Sequence, residues 1–543
     1  MNKRPNIIIF NPDQMRADAL SHLEENPAAQ TPFLDMFAQN EAVSYRNAFC
    51  QNTVCVPSRC SFLTGLYPHV NGHRTMNHML HDHETTLMEE LKNAGYYVWS
   101  NARNDLLPAQ TPGIFDRHYS ETFYSGDVLP APGAENPNFR GEPSDASYYS
   151  HFAGRLKVDE NGINYSNDDE IVDAAIKFVK KRPEDQSLCM FIGLTNPHPP
   201  YKVEEPYYSA IDREKLPPRI CTPAHGEIVP EIEDMIRKKQ NMQGYTEEQW
   251  DELRACYYGM CLKVDDMFKR LCDGLKEAGI YDDSAIFFFS DHGDYLGDYG
   301  LSEKNQNTME DCLVRVPFLI KPPKGLNVDA GVSDVQVELL DFYATAMSMA
   351  QVKPTHSHFS IDLTKHLENP SVPIREFTCC EGGRLAGEVH CDESHVYGPA
   401  GIQPPNMYWP RVSSQEKDTA HTKATMIRTD KYKLIQRLYE SDQFFDLEKD
   451  PKETHNAIND VEYKDIIVDL KMKLLNWYQA TCDIVPFEYD KRFNFEMTWN
   501  RCKLICPPEC TEEVQEIIKE GKMQMFDVIR LCEKLKRERE NKV

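Results

Sequence analysis

The 543-residue sequence contains no apolar run approaching the ~20 residues that cross a bilayer, which excludes a membrane span. It has no internal repeat and no low-complexity tract, so solenoid and fibrous classes are excluded as well. The N-terminal MNKRPNIIIFNPDQ holds one short apolar run before polar residues return, and no signal peptide is read there. Positive charge is scarce: 60 Lys and Arg stand against 86 Asp and Glu, a formal −26 at pH 7. Such a surface repels phosphate backbones and anionic lipid, which argues against nucleic-acid or membrane partners. An anionic substrate must be met by a local group of Arg, Lys, His or metal. Regular cysteine spacing is also missing. The 17 cysteines are odd in number and scattered, unlike the framework of a small secreted domain, and a reducing, cytoplasmic location is expected. Cys502, Cys506 and Cys510 (CKLICPPEC) lack the paired C-x-x-C form of zinc sites, and are read as free thiols in a tail.

What is present is an alternation of buried strands and helices. NIIIF (Asn6 to Phe10), LCMFIGL (Leu188 to Leu194), AIFFF (Ala285 to Phe289) and VPFLI (Val316 to Ile320) are short, continuously apolar runs of the kind buried on both faces. Helical patterns lie between them, at Thr85 to Ser100 and Ala255 to Ile280. This predicts an α/β fold, a large, mostly parallel sheet sandwiched by helices. After about Arg375, short alternating segments with Asp-Lys and Asp-Pro turns predict a smaller α+β subdomain with an antiparallel sheet, packed by the helix VDLKMKLLNWYQATC. The expected division is 1–375, 376–486 and a helical extension, 487–543. Pro-rich loops at Val128 to Pro143 and Gly398 to Val412 are long insertions of the kind that shape pockets.

Ligands of an open parallel sheet bind beyond the carboxyl ends of its strands. Asp13 and Gln14 follow the first strand there, and Asp291 and His292 follow AIFFF, so the four can meet. Two carboxylates, an amide oxygen and an imidazole make a divalent-metal site; carboxylates favour Ca²⁺ or Mg²⁺, and the imidazole leaves Mn²⁺ or Zn²⁺ open. In CVPSRCSFLTG (Cys55 to Gly65) a thiol stands at what reads as a helix start, with Pro57 suited to a first helical position and Thr64-Gly65 as the stop. A C-x5-R thiol phosphatase is excluded, because Ser61 occupies the arginine position.

CVPSRCSFLTGLYPHVNGHR, FFFSDHGDYLGDYGLSEK and the strand-Asp at the N-terminus together resemble the type I, formylglycine-dependent sulfatases of the alkaline-phosphatase-like superfamily. The likeness continues through TNPHPPY, RVPFLIKPP, REFTCCEGG and MIRTDKYKL…FFDLEKDPKETHN, over roughly residues 5 to 485. It implies that Cys55 is oxidised by a formylglycine-generating maturation enzyme, and that the hydrated aldehyde is the nucleophile. It assigns Asp13, Gln14, Asp291 and His292 to one divalent metal, with Ca²⁺ the expected ion. Arg59 would hold the formylglycine hydroxyls, Lys304 a sulfate oxygen, and His198 the proton for the leaving alcohol.

Departures from the family pattern are informative. Where many relatives have G-K-W-H after a G-Y-x-T strand, this chain has GYYVWSNARNDLL, with Arg103 and Asp105 near those places. Arg103 is therefore a candidate sulfate ligand. Gln14 replaces an Asp found in many relatives, a combination that also occurs in phosphonate monoester and phosphodiester hydrolases. Trp409, beside Tyr408 and Met407, is a candidate sugar platform, with core packing its alternative. The loop GHRTMNHMLHDHE carries His73, His78, His81 and His83; H-x-H can be a zinc pair, but no carboxylate spacing completes a site, and the loop is read as pocket rim or surface. The expected function is hydrolysis of an organic or saccharide O-sulfate. The alternatives are a phosphonate monoester or phosphodiester hydrolase of the same fold, and a non-catalytic glycan-binding relative. The sequence leaves the oligomeric state open.

Overall fold

The computed structural model describes residues 4–101, 105–126, 142, 144–159, 162, 164–388, 407–485, 487, 492–521 and 523–540. Its first ten strands are β1 (Asn6–Asp13), β2 (Val43–Phe49), β3 (Tyr97–Asn101), β4 (Glu121–Phe123), β5 (Phe152–Arg155), β6 (Leu188–Pro197), β7 (Tyr201–Val203), β8 (Ser284–Phe289), β9 (Phe318–Lys321) and β10 (Gly331–Glu338). Eight of these form one sheet in the order β10-β2-β9-β8-β1-β6-β3-β4, while β5 pairs with β7. Within the large sheet only β9 runs antiparallel to its neighbours.

The period of two explains why the strands read as unbroken apolar runs. Ile7 and Ile9 enter one hydrophobic core, together with Ala285, Phe287 and Phe289. Ile8 and Phe10 enter the other, with Ile286 and Phe288. Over Ile7–Phe10 and Ala285–Phe289 both faces of β1 and β8 are thus dry, and the side chains of those runs are apolar. The long helix Glu247–Glu277 covers the second face through Phe268, Leu271 and Leu275; a Thr246–Gln249 capping box opens it. The helix Asp341–Met349 covers the first face through Phe342, Ala346 and Met347.

The smaller sheet is β11 (Thr378–Gly382), β12 (Ala424–Arg428), β13 (Tyr432–Arg437) and β14 (Gln443–Asp446), antiparallel in that order. Cys379, Ile427, Leu434 and Phe444 face the helix Lys464–Thr481, while Cys380, Met426, Ile435 and Phe445 join the first core of the large sheet. The chain divides into two compact units, Met1–Ile484 and Val485–Val543, so both sheets lie in the first. The second unit is helical, with Cys502, Cys506, Cys510 and Cys532 unbridged among its core residues. Among the described residues, no helix is long and apolar enough to cross a membrane.

Two local expectations need correction. The helical pattern at Thr85 to Ser100 is a helix only over Leu87–Asn93; Gly95, at φ +95°, turns the chain, and Tyr97–Asn101 is strand β3. The helix of the cysteine motif begins at Cys55 itself, so Pro57 sits third in its first turn, where its missing N–H still leaves no bond unmade. Gly65 ends that helix at φ +72°. A Cβ there would lie 2.6 Å from Ser360 Oγ and 2.9 Å from Tyr343 Cδ1, which closes the position to other residues.

Candidate active site

The carboxyl ends of β1, β6 and β8 are brought level by the parallel register, in which Asp13 lies opposite Pro197 and Phe10 opposite Phe288. The chain then leaves β1 through Gln14 at φ +67°, an unfavourable conformation for a side chain of this type. That turn aims the Gln14 amide N–H at Asp291 Oδ1, 3.1 Å away. The Gln14 side chain is held at both ends: its NH₂ donates to Asp294 (2.6 Å), and its oxygen accepts from Lys304 (2.9 Å).

The thiol of Cys55 points into this group. Its Sγ lies 3.2 Å from His292 Nε2, 3.2 Å from Lys304 Nζ and 3.4 Å from Asp13 Oδ2. Arg59, one helical turn on, donates to Asp291 (3.0 Å) and Asp13 (3.0 Å), tying the ends of β1 and β8 to the helix. Ser58 Oγ donates to the Asp291 carbonyl at 2.6 Å and fixes the same contact. Asp13, Asp291 and His292 are wholly buried, and Arg59 nearly so.

Protonation follows from this burial. Burial first, and then the charge of Asp13, push the Cys55 thiol well above its ordinary range, so the unmodified side chain is a poor thiolate nucleophile. Burial pushes His292 down to about 4, which keeps the imidazole neutral. Its Nδ1 donates to the Gly293 carbonyl at 3.0 Å, leaving the Nε2 lone pair turned to the cage.

These donors suit a divalent ion. One ligand atom from each of Asp13, Cys55, Asp291 and His292 lies within 4.8 Å of the others. Two adjacent buried carboxylates with an oriented imidazole form such a set, and Gln14 Oε1 borders it through Lys304.

His198 follows Pro197, the residue opposite Asp13, and so stands on the same edge. Its Nδ1 faces the Pro199 carbonyl at 2.7 Å, its ring centroid is 6.4 Å from Tyr408, and it borders a cavity of about 230 Å³ with Thr195, Asn196 and Lys202. Trp409 stacks on Tyr149 at 5.7 Å with Lys239 above it at 5.5 Å, a packed position. Arg103 lies outside the described residues. Asp105 is described, and its carboxylate is 3.9 Å from Arg59.

Several residues of the cage were not anticipated. Glu303, at φ +70°, is buried beside Lys304, and Arg411 Nη1 donates to both of its oxygens at 2.7–2.8 Å. Arg411 thereby neutralises a carboxylate, 3.8 Å from Lys304, that would otherwise draw the ammonium away. Tyr201 donates to Asp294 at 2.8 Å and accepts from the Glu303 amide at 3.1 Å, linking the two strands of contacts. Burial raises Asp294 to about 6. Its signal was the final acid of the Ser290–Asp294 motif; Arg411 had none.

With this geometry in place, residues 5–352 match the family model "Sulfatase", and residues 409–480 match "N-sulphoglucosamine sulphohydrolase, C-terminal". The chain belongs to the sulfatase family. An arylsulfatase of Clostridium perfringens is 25% identical over 498 residues, covering 87% of this chain and 94% of the relative. A choline-sulfatase of Rhizobium meliloti is 25% identical, covering 90% of each. Among solved structures, a phosphonate monoester hydrolase of Agrobacterium radiobacter shares the fold at TM-score 0.67 and 19% identity, covering 88% of this chain and 96% of that one. Sulfatase membership implies a metal ion and a formylglycine, and the Cys55 cage is where the donors for both converge.

Proposed function

We propose that this sulfatase-family chain hydrolyses the O-sulfate ester of a small organic molecule or saccharide, with position 55 as nucleophile. The observation that carries the reading is the cage itself: a buried Cys55 within 3.2 Å of both Lys304 and His292, on a helix tied by Arg59 to Asp13 and Asp291. As formylglycine, position 55 supplies a geminal diol, one hydroxyl for attack on sulfur and one for release of sulfate. Asp13, Gln14, Asp291 and His292 would hold one divalent ion, with Ca²⁺ favoured by the excess of oxygen donors. Bound there, the ion lowers the pKa of the attacking hydroxyl and withdraws charge from the sulfuryl oxygens.

The remaining roles belong to the chain's own groups. Arg59 and Lys304 balance the two carboxylates, so a divalent ion leaves the cage with surplus positive charge for an anionic ester, inside an acidic protein. Lys304, itself buried, holds a sulfuryl oxygen where a fixed ammonium acts strongly. His198, with Nδ1 held by the Pro199 carbonyl, presents Nε2 as proton donor to the leaving alcohol. Arg103 is assigned to the rest of the substrate. The odd, scattered cysteines support a cytoplasmic location, and the C-x-P-S-R motif at Cys55 supports maturation by a formylglycine-generating enzyme.

The test is turnover of an aryl sulfate against an aryl phosphonate monoester, using protein co-produced with a maturation enzyme. A higher kcat/KM for the sulfate is expected. Preference for the phosphonate would transfer the cage to the same-fold alternative, and turnover of neither at any metal load would point to a binding protein.

A further inference from the structure

The loop between the Cys55 helix and the helix Leu87–Asn93 gathers a second set of metal-binding side chains. Ligand atoms of His73, His81 and Glu84 lie within 4.8 Å of one another. His73 and Glu84 are buried, while His81 is exposed. His73 has acceptors at both ring nitrogens. Its Nδ1 faces the His78 carbonyl at 3.2 Å, and its Nε2 faces the Glu84 carboxylate at 2.8 and 2.9 Å. With Nδ1–H donating to that carbonyl, Nε2 is turned to the Glu84 carboxylate, and one cation can be shared between them. Nδ1–H donating to a backbone carbonyl is the arrangement that orients a ligating imidazole.

Glu84 is positioned as tightly. The His81 amide donates to its Oε2 at 2.6 Å, and Asn71 Nδ2 donates to its Oε1. The Arg117 guanidinium holds the Glu84 carbonyl at 2.9 Å. The H-x-H pair that the sequence offers is not the one used: His83 stacks on His81 at 5.7 Å, and the carboxylate comes from Glu84 instead.

We infer that His73, His81 and Glu84 bind a divalent transition metal, Zn²⁺ by ligand type, separate from the ion of the catalytic cage. Two imidazoles and a carboxylate are a common zinc set, with a fourth position left to water on the exposed His81 side. The ion would pin the loop to the fold. Arg74 of this loop already donates to the Gly383 carbonyl at 2.8 Å, at the end of β11.

The test uses the full chain, stripped by chelator, dialysed against Zn²⁺ alone and assayed for bound metal by elemental mass spectrometry. Three proteins are compared: wild type, His81→Ala and the cage variant Asp13→Asn/Asp291→Asn. His81 is exposed, so its truncation should leave the circular dichroism unchanged. The inference predicts that His81→Ala binds one zinc fewer per chain than wild type, and that the cage variant keeps the equivalent which His81→Ala loses. Zinc should also raise the melting temperature of the cage variant, and not of a triple variant that adds His81→Ala. Equal zinc content in wild type and His81→Ala would overturn it, as would loss of all zinc in the cage variant.

Discussion

Replacing Arg411 with Met removes a partner of Glu303 and leaves that carboxylate with almost no solvent access. Breaking a buried pair from one side costs about 3–5 kcal/mol, because the surviving charge loses a directly hydrogen-bonded counter-ion. At about 2.1 cal/mol/K per residue, unfolding the unit Met1–Ile484 carries an entropy of about 1 kcal/mol/K, so the melting temperature should fall by about 3–5 °C. Activity should fall too. Glu303 Oε1 is 3.8 Å from Lys304 Nζ, and at an effective dielectric of about 20 the two attract by about 4 kcal/mol. Freed from Arg411, the carboxylate takes the ammonium for itself, and kcat drops by less than the roughly 10²–10³ expected for deleting Lys304 outright. Adding Glu303→Gln removes that carboxylate charge, and the double variant should recover both stability and kcat. Melting by circular dichroism and turnover of an aryl sulfate read the two effects. A single variant that melts within a degree of wild type would refute the reasoning, as would a double variant no better than the single.

Lys304→Ala should lower kcat by on the order of 10²–10³, measured under saturating aryl sulfate. Peptide mass spectrometry of active protein should find the Cys55 aldehyde or its hydrate, and Cys55→Ala should abolish turnover; full activity with an intact thiol would contradict the mechanism. Chelation should remove activity and Ca²⁺ should restore it, whereas unchanged turnover after chelation would refute the metal assignment. Asp265 is buried and accepts the amides of Phe33 and Leu34, and burial raises it to about 7. The folded state then binds more protons than the unfolded one between about pH 4 and 7, so its contribution makes stability fall as pH rises, by at most about 1.4 kcal/mol per pH unit. Asp265→Asn should flatten that slope in denaturant titrations, and an identical slope would dispose of the idea.

The sheet and the cage were legible because parallel strands leave strong marks. A strand dry on both faces reads as NIIIF or AIFFF, and its carboxyl end is where Asp13 and Asp291 had to be. Cys55 and Arg59, four apart on one helix, needed only that the helix start near the same edge. Arg411 was illegible for the opposite reason: it meets Glu303 from 108 residues away, through a helix that carries no motif. Glu84 went unseen as a partner of His73 because the two stand 11 positions apart in a loop and only the folded turn sets their distance. The strand at Tyr97 was hidden in a helical pattern, since Leu87, Leu91 and Tyr96 share one apolar core across the Gly95 turn.

The wide spacing of the cage residues along the chain also has a meaning for biosynthesis. Cys55 is buried to 3% exposure by contacts that include His292, which lies 237 residues further on. A ribosome making this chain from its N-terminus emits the cysteine motif long before β6 and β8, the strands that flank β1, are available. Throughout that interval the thiol is presented on an unfinished sheet, open to any catalyst that must grip the segment around it. Once Asp291 reaches Arg59 the opportunity closes, so a modification of position 55 such as the one proposed would compete with the completion of folding, and slowing elongation between the two segments should raise the modified fraction.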